Sequence, residues 1–206
     1  MRAALTIVVT SALVSSALAG ERFNLFVFEN ADGADTSILD IWVDVIGNGA
    51  TVDFVWHNDS SAAANLSEIY IESSDASDLL LNAAILNTGG VSYSSSASPG
   101  TPPGSVSLFG GAWGGSLFSA DPDSPQANVN AINPGESLTT RFDLTGALTF
   151  ADVIAALNGE TDAFRLAAHV QGIGADAESV WLVTPTPSAL SIMGLGLLVG
   201  SRRRRS

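Results

Sequence analysis

Nucleophilic catalysis needs a base beside a hydroxyl or thiol. This chain offers two histidines, His57 and His169, and no cysteine. Each histidine falls within or at the end of an alternating run, and no Gly-x-Ser-x-Gly elbow accompanies them. Both are expected to be structural; a hydrolase would need one of them in a cleft beside carboxylates. Zinc requires three or four clustered ligands, and the chain has neither a His-x-x-x-His nor a cysteine pair. Gly-x-Gly-x-x-Gly and phosphate-loop patterns are absent as well. Calcium is the small ligand whose chemistry fits best. Asp121 and Asp123, with Asn128 and Asn130 close by, place hard oxygens in one loop. Asp32 and Asp35 form a second acidic turn, and neither stretch matches an EF-hand. Acidic turns are ordinarily solvated, so no resident cofactor is expected, with calcium as the candidate ion. Paired carboxylates for glycoside hydrolysis must lie about 5–9 Å apart. Twenty-one acids give too many chance pairs to select one. Sugar binding would instead use flat exposed aromatics, for which Trp113 and Tyr93 are the candidates. Phe109, Trp113 and Phe118 are otherwise expected to pin a long loop to the core.

The elements that carry these residues read as strands. Leu39 to Ile46 and Ala50 to His57 both alternate with period two, and Gly47-Asn48-Gly49 between them suits a tight turn. Leu66 to Glu72 reads as a third strand. Phe23–Phe28, Leu79–Leu86, Val106–Phe109, Ser137–Leu144, Phe164–Gln171 and Ser179–Val183 are further candidates. One short helix interrupts at Phe150–Leu157, with Thr149 placed as N-cap and Asn158-Gly159 as the stop. Gly89 to Pro134, rich in Ser, Gly and Pro, reads as a long loop. The pattern predicts an all-β, antiparallel β-sandwich of jelly-roll-like type with one short helix.

The ends read differently. Residues 1–19 have the form of a secretory signal helix: Arg2, an apolar run from Ala3 to Val14, and Ala17-Leu18-Ala19 as a cleavage site before Gly20. The last residues run Pro185-Thr186-Pro187, an apolar stretch of 13 residues from Ser188 to Gly200, then Arg202, Arg203, Arg204 and Arg205. Thirteen residues fall short of the roughly 20 that a bilayer core requires. The arginines would hold the end of this hydrophobic helix at an anionic cytoplasmic face, at about 1 kcal/mol each, with the domain outside. Between the ends lies one domain, 20–184. It has no lysine, and Arg22, Arg141 and Arg165 against twenty-one acids leave it at −18. That charge excludes nucleic acid as a partner, since phosphates need cationic contacts.

The tail resembles the PEP-CTERM sorting domain of secreted bacterial proteins, in its Pro-x-Pro motif, short hydrophobic helix and arginine cluster. Thr186 stands where that family has glutamate. The resemblance implies processing by an exosortase-like enzyme after passage through the export machinery, with the tail holding the membrane until any cleavage. A second, looser resemblance is to the ectodomain of many such proteins. It rests on Phe118-Ser119-Ala120-Asp121-Pro122-Asp123, Asn133-Pro134-Gly135-Glu136-Ser137-Leu138, Phe142-Asp143-Leu144, Asp152-Val153-Ile154-Ala155-Ala156-Leu157 and His169-Val170-Gln171-Gly172-Ile173-Gly174. Phe54-Val55-Trp56-His57-Asn58 and Ile69-Tyr70-Ile71 fit its earlier strands. It implies no activity. The expected role is that of a non-enzymatic structural or adhesive protein of the cell envelope or extracellular matrix. A carbohydrate-binding module for exopolysaccharide is the alternative, and a secreted hydrolase the third reading.

Overall fold

The computed structural model describes residues 19–72, 76–102, 113, 115–125, 129–159 and 165–184. In chain order the strands are β1 Gly20–Asn24, β2 Phe26–Glu29, β3 Ile41–Asn48, β4 Thr51–Asn58, β5 Asn65–Glu72, β6 Leu80–Leu86, β7 Tyr93–Ser95, β8 Ser116–Pro122, β9 Glu136–Leu144, β10 Leu166–Ile173 and β11 Glu178–Val183. A single helical turn, α1 Ala76–Leu79, precedes β6, and α2 spans Phe150–Leu157. The strands form two antiparallel sheets, β1-β3-β4-β9-β6 and β2-β11-β10-β5-β8-β7. The protein is an all-β sandwich, as the alternation predicts.

The inner faces follow from that alternation. Val43 and Val45 of β3, and Val52, Phe54 and Trp56 of β4, point at Ile69, Ile71, Leu166, Ala168 and Val170 of the second sheet, all fully buried. Phe54, Phe142 and Phe118 bridge the sheets edge to face, with centroids 5.6 and 5.4 Å apart. Such contacts add about 0.5–1.5 kcal/mol each beyond area burial. Polar groups inside this core are paired. Trp56 Nε1 donates to Thr140 Oγ1. Asn58 at the end of β4 donates to the carbonyls of Ala64 and Ile132 and accepts from Ser60 N–H, tying the β4–β5 and β8–β9 connections to one strand.

The β3–β4 hairpin pairs Asn48 with Thr51 around Gly49, which adopts a positive φ of 67°. Helix α2 has the predicted bounds. The Asp152 carboxylate accepts from the Thr149 N–H and hydroxyl at its start. It buries Val153, Ala156 and Leu157, while Phe150 closes over Gly47 of β3.

Two expectations are corrected. Phe23–Phe28 is not one strand: the chain leaves the first sheet after Asn24 and enters the second at Phe26, with Leu25 buried at the crossing. The Gly89–Pro134 stretch is not a bare loop, because β7 and β8 lie within it and extend the second sheet beyond β5. The strand expected at Val106–Phe109 lies outside the described residues, as do Phe164 and the terminal helices at 1–18 and 185–206.

Candidate functional site

Each sheet carries a tryptophan, a histidine and a carboxylate on its outer face. On the first sheet, strand register sets Trp42 of β3 opposite His57 of β4 and Asp44 of β3 opposite Arg22 of β1. The Trp42 and His57 rings stack with centroids 4.9 Å apart and planes 13° off parallel. Arg22 lies over Trp42 at 4.4 Å and makes two hydrogen bonds to Asp44, at 2.9 and 3.2 Å. His57 Nε2 is 3.2 Å from the same carboxylate, at ion-pair distance; the contact lacks an aligned N–H. Burial lowers the His57 pKa, and the charge of Asp44 opposes this only in part. Burial works against ionisation of Asp44, but hydrogen bonds from Arg22 and Trp42 outweigh it and hold the carboxyl below its ordinary range.

The second array is more deeply covered. His169 of β10 faces Trp181 of β11 across the sheet, stacked at 4.1 Å and 7°. On its other side His169 faces Glu68 of β5, whose carboxylate lies 2.5 Å from Nδ1, with both side chains only 11% exposed. Tyr70 packs against Trp181 at 5.8 Å. Beyond it Arg165 forms two 2.6 Å bonds to Glu72, the side chains being 5% and 4% exposed. The segment 96–100 crosses this face as a strap. Ser96 and Ala97 N–H donate to Ser119, Tyr70 donates to the Pro99 carbonyl, and Ser116 donates to the Gly100 carbonyl.

The predicted site residues fall in different places. Tyr93 is not a sugar platform. It is 2% exposed in the core, and its hydroxyl donates to the Leu66 carbonyl and accepts from Ile132 N–H; burial raises its pKa far above the ordinary phenol value. Trp113 is half-buried and packs against the Tyr70–Trp181 cluster. Its ring has Arg165 above it at 5.4 Å, and Nε1 donates to Ser116. Tyr93 and Trp113 therefore share no surface. Phe118, expected in a loop, is a core residue of β8, and Phe109 lies outside the described residues.

Asp123 uses both carboxylate oxygens on the Ser92 and Ser94 hydroxyls, which lower its pKa, and its carbonyl accepts from Asn130. Burial, with Glu68 nearby, raises that of Asp121. Asn128 lies outside the described residues. Among the described residues no three acidic or histidine side chains gather as a metal site, and this holds for the Asp121–Asp123 turn. Asp32 caps Ser179 and Asp35 caps Ser37. Ala19 and Gly20 are in place at the start of β1. Ala17, Pro185, Thr186, Pro187 and Arg202 to Arg205 lie outside the described residues.

Chemically, the two arrays differ from a hydrolytic centre in one respect. Among the described residues neither imidazole is hydrogen-bonded to a serine or threonine hydroxyl; Ser67 Oγ donates to the His169 carbonyl instead. The cavity of about 210 Å³ bordered by Leu80, Leu81, Asn82, Ala83, Leu117 and Phe142 contains neither histidine. Glu68, Glu72, Arg165 and Trp181 were not singled out by sequence reasoning. The signal that reveals them is register: once β10 is paired with β5 and β11, each falls beside His169 or Arg165. Among the described residues no helix is long and apolar enough to cross a membrane. Comparison with protein-family models, with curated proteins and with solved structures found no match to the chain.

Proposed function

We propose that this is an exported structural or adhesive protein of the cell envelope or extracellular matrix, directed there by its two ends. The observation that carries the reading is the pairing of two end sequences: Arg2, the apolar run Ala3 to Val14 and Ala17-Leu18-Ala19 before Gly20, and Pro185-Thr186-Pro187, the apolar stretch Ser188 to Gly200 and Arg202 to Arg205. Strand β1 begins at Gly20, immediately after the Ala17-Leu18-Ala19 cleavage sequence. Thr184, next to Pro185-Thr186-Pro187 in sequence, is bonded to Leu166 through its N–H and hydroxyl. A signal peptidase of the export machinery would act just before Gly20, and an exosortase-like enzyme on the sequence that follows Thr184. The arrays on the outer faces fit a load-carrying role: they tie strands across both sheets with stacked rings and ion pairs.

The test is the intact mass of the protein recovered from the envelope and medium of a bacterium that carries an exosortase. Material starting at Gly20 and lacking Arg202 to Arg205 is expected. Extracellular protein that retains Met1, or an intact Arg205, refutes the sorting reading.

A further inference from the structure

A sheet edge presents unpaired N–H and C=O groups, and β-proteins blunt such edges with charge, proline or shortness. Among the described strands, three of the four sheet edges are blunted. Strand β1 carries Glu21 and Arg22, β2 carries Glu29, and β7 is three residues long. The fourth, β6, is seven residues, Leu-Leu-Asn-Ala-Ala-Ile-Leu, without a charge or a proline. Among the described residues it is hydrogen-bonded within the sheet to β9 alone, and Leu81 and Leu86 stand 45% and 39% exposed. The rest of the 20–184 domain is at −18, so an uncharged edge of this length is out of keeping with its surface.

The register of this edge makes it self-complementary. Leu81, Ala84 and Leu86 oppose Asp143, Arg141 and Thr139 of β9, which are alternate residues of one face. Asn82 and Ala83 share the intervening position as a bulge, with Asn82 at φ 49° and its amide donating to Asp143. A bulge often turns an edge away from pairing; here it returns both leucines to the outer face at equal distance from Ala84. We propose that β6 is a docking edge for a second copy of this chain. The two β6 strands pair antiparallel about a two-fold axis at Ala84, setting Leu81 against Leu86 of the second copy and joining the two five-stranded sheets. An isologous contact requires that what i offers j, j offers i, and Leu81–Ala84–Leu86 meets that condition read in either direction. A partner recognised by charge would find nothing to hold on this strand. Two acidic bodies repel, so salt strengthens the association.

The absence of native cysteine supplies the test. Facing residues of an antiparallel pair come within about 4.5–5.5 Å, within reach of a disulfide. Full-length chain bearing Ala84→Cys is oxidised beside chain bearing Asp176→Cys, an exposed position in the β10–β11 turn. The apolar tail contributes equally to both. The Ala84→Cys dimer is expected several-fold faster, faster again between about 0.05 and about 0.5 M salt, and slowed to the Asp176→Cys rate by adding Leu86→Lys. Equal rates for the two cysteines, or no effect of Leu86→Lys, overturn the proposal. Sedimentation of cysteine-free protein gives an independent reading: Leu86→Lys must shift it toward monomer, and an unchanged distribution overturns the proposal too. Circular dichroism confirms that each variant folds.

Discussion

Two ion pairs in this protein have the same bidentate geometry and opposite surroundings, which sets a buried pair against an exposed one. Arg165 reaches Glu72 with two 2.6 Å bonds beneath the strap, at 5% and 4% side-chain exposure. Arg141 reaches Asp53 with two 2.6 Å bonds on the outer face of the first sheet, at 39% and 14%. Replacing Glu72 by leucine takes two charge-assisted hydrogen bonds from a buried guanidinium. Breaking a buried pair in this way costs about 3–5 kcal/mol. At roughly 2–4 °C per kcal/mol for a domain of this size, the melting temperature falls by about 10 °C. Arg165→Met takes the same two bonds from the carboxylate and is expected to cost a similar amount. The double variant Glu72→Leu/Arg165→Met strands neither charge, so its loss must be well below the sum of the two singles. Asp53→Ala and Arg141→Met lie where water screens the pair, and their melting shifts are expected to be much smaller. Urea melts of the six proteins, wild type included, give the comparison. Additive singles at Glu72 and Arg165, or an Asp53→Ala loss as large as that of Glu72→Leu, refute the argument that burial sets the penalty.

Two further outcomes follow from the outer-face array and the helix seat. Burial holds His57 below its ordinary value of 6.5, so on acidification the unfolded chain takes up the proton first. Stability is then full above 6.5 and falls as pH drops through the folded value. Thermal melts between pH 7.5 and 5 should show that limb, and His57→Gln should flatten it; a limb of opposite slope sinks the assignment. Asp35, Asp44, Asp123 and Asp152, held below 3.8, give up their contribution only in the separate window under that value. At Gly47 a Cβ would stand 2.6 Å from Phe150 Cγ. Gly47→Ala is therefore expected to cost about 1–3 kcal/mol in a urea melt, and adding Phe150→Ala should make the alanine at 47 nearly harmless.

Local patterns carried the reading of the fold wherever pairing is local. The β3–β4 hairpin declares itself through alternation around Gly47-Asn48-Gly49. Helix α2 does so through Thr149 and Asn158-Gly159 on either side of eight residues. Where tertiary contacts decide, the patterns fell short. Nothing at Leu25 marks a change of sheet: it is an apolar residue in an apolar run, and only its burial between the layers separates β1 from β2. Strand β5 alternates as though one face met water, yet all eight residues are buried. The strap and the Arg165–Glu72 pair cover the face that Glu68, Tyr70 and Glu72 would otherwise expose. Strands β7 and β8 fall in a stretch whose Ser94, Ser95, Ser119, Asp121 and Pro122 are poor strand formers; pairing of β8 with β5, and of β7 with β8, overrides that weakness. Of the two histidine arrays, Trp42–His57 is recoverable from the hairpin register alone. His169–Glu68 is not, since those residues lie 101 positions apart.

The crossing at Leu25 has a mechanical consequence. It sends β2 to the second sheet, where it lies against β11, so the last strand is flanked by β10 on one side and β2 on the other. A domain tethered at its C-terminus takes tension through Thr184 straight into β11. Backbone bonds to both neighbours then lie across the line of pull and share the load, where an edge strand has such bonds on one side only. Strand β11 thus meets traction along its length with two sets of backbone bonds.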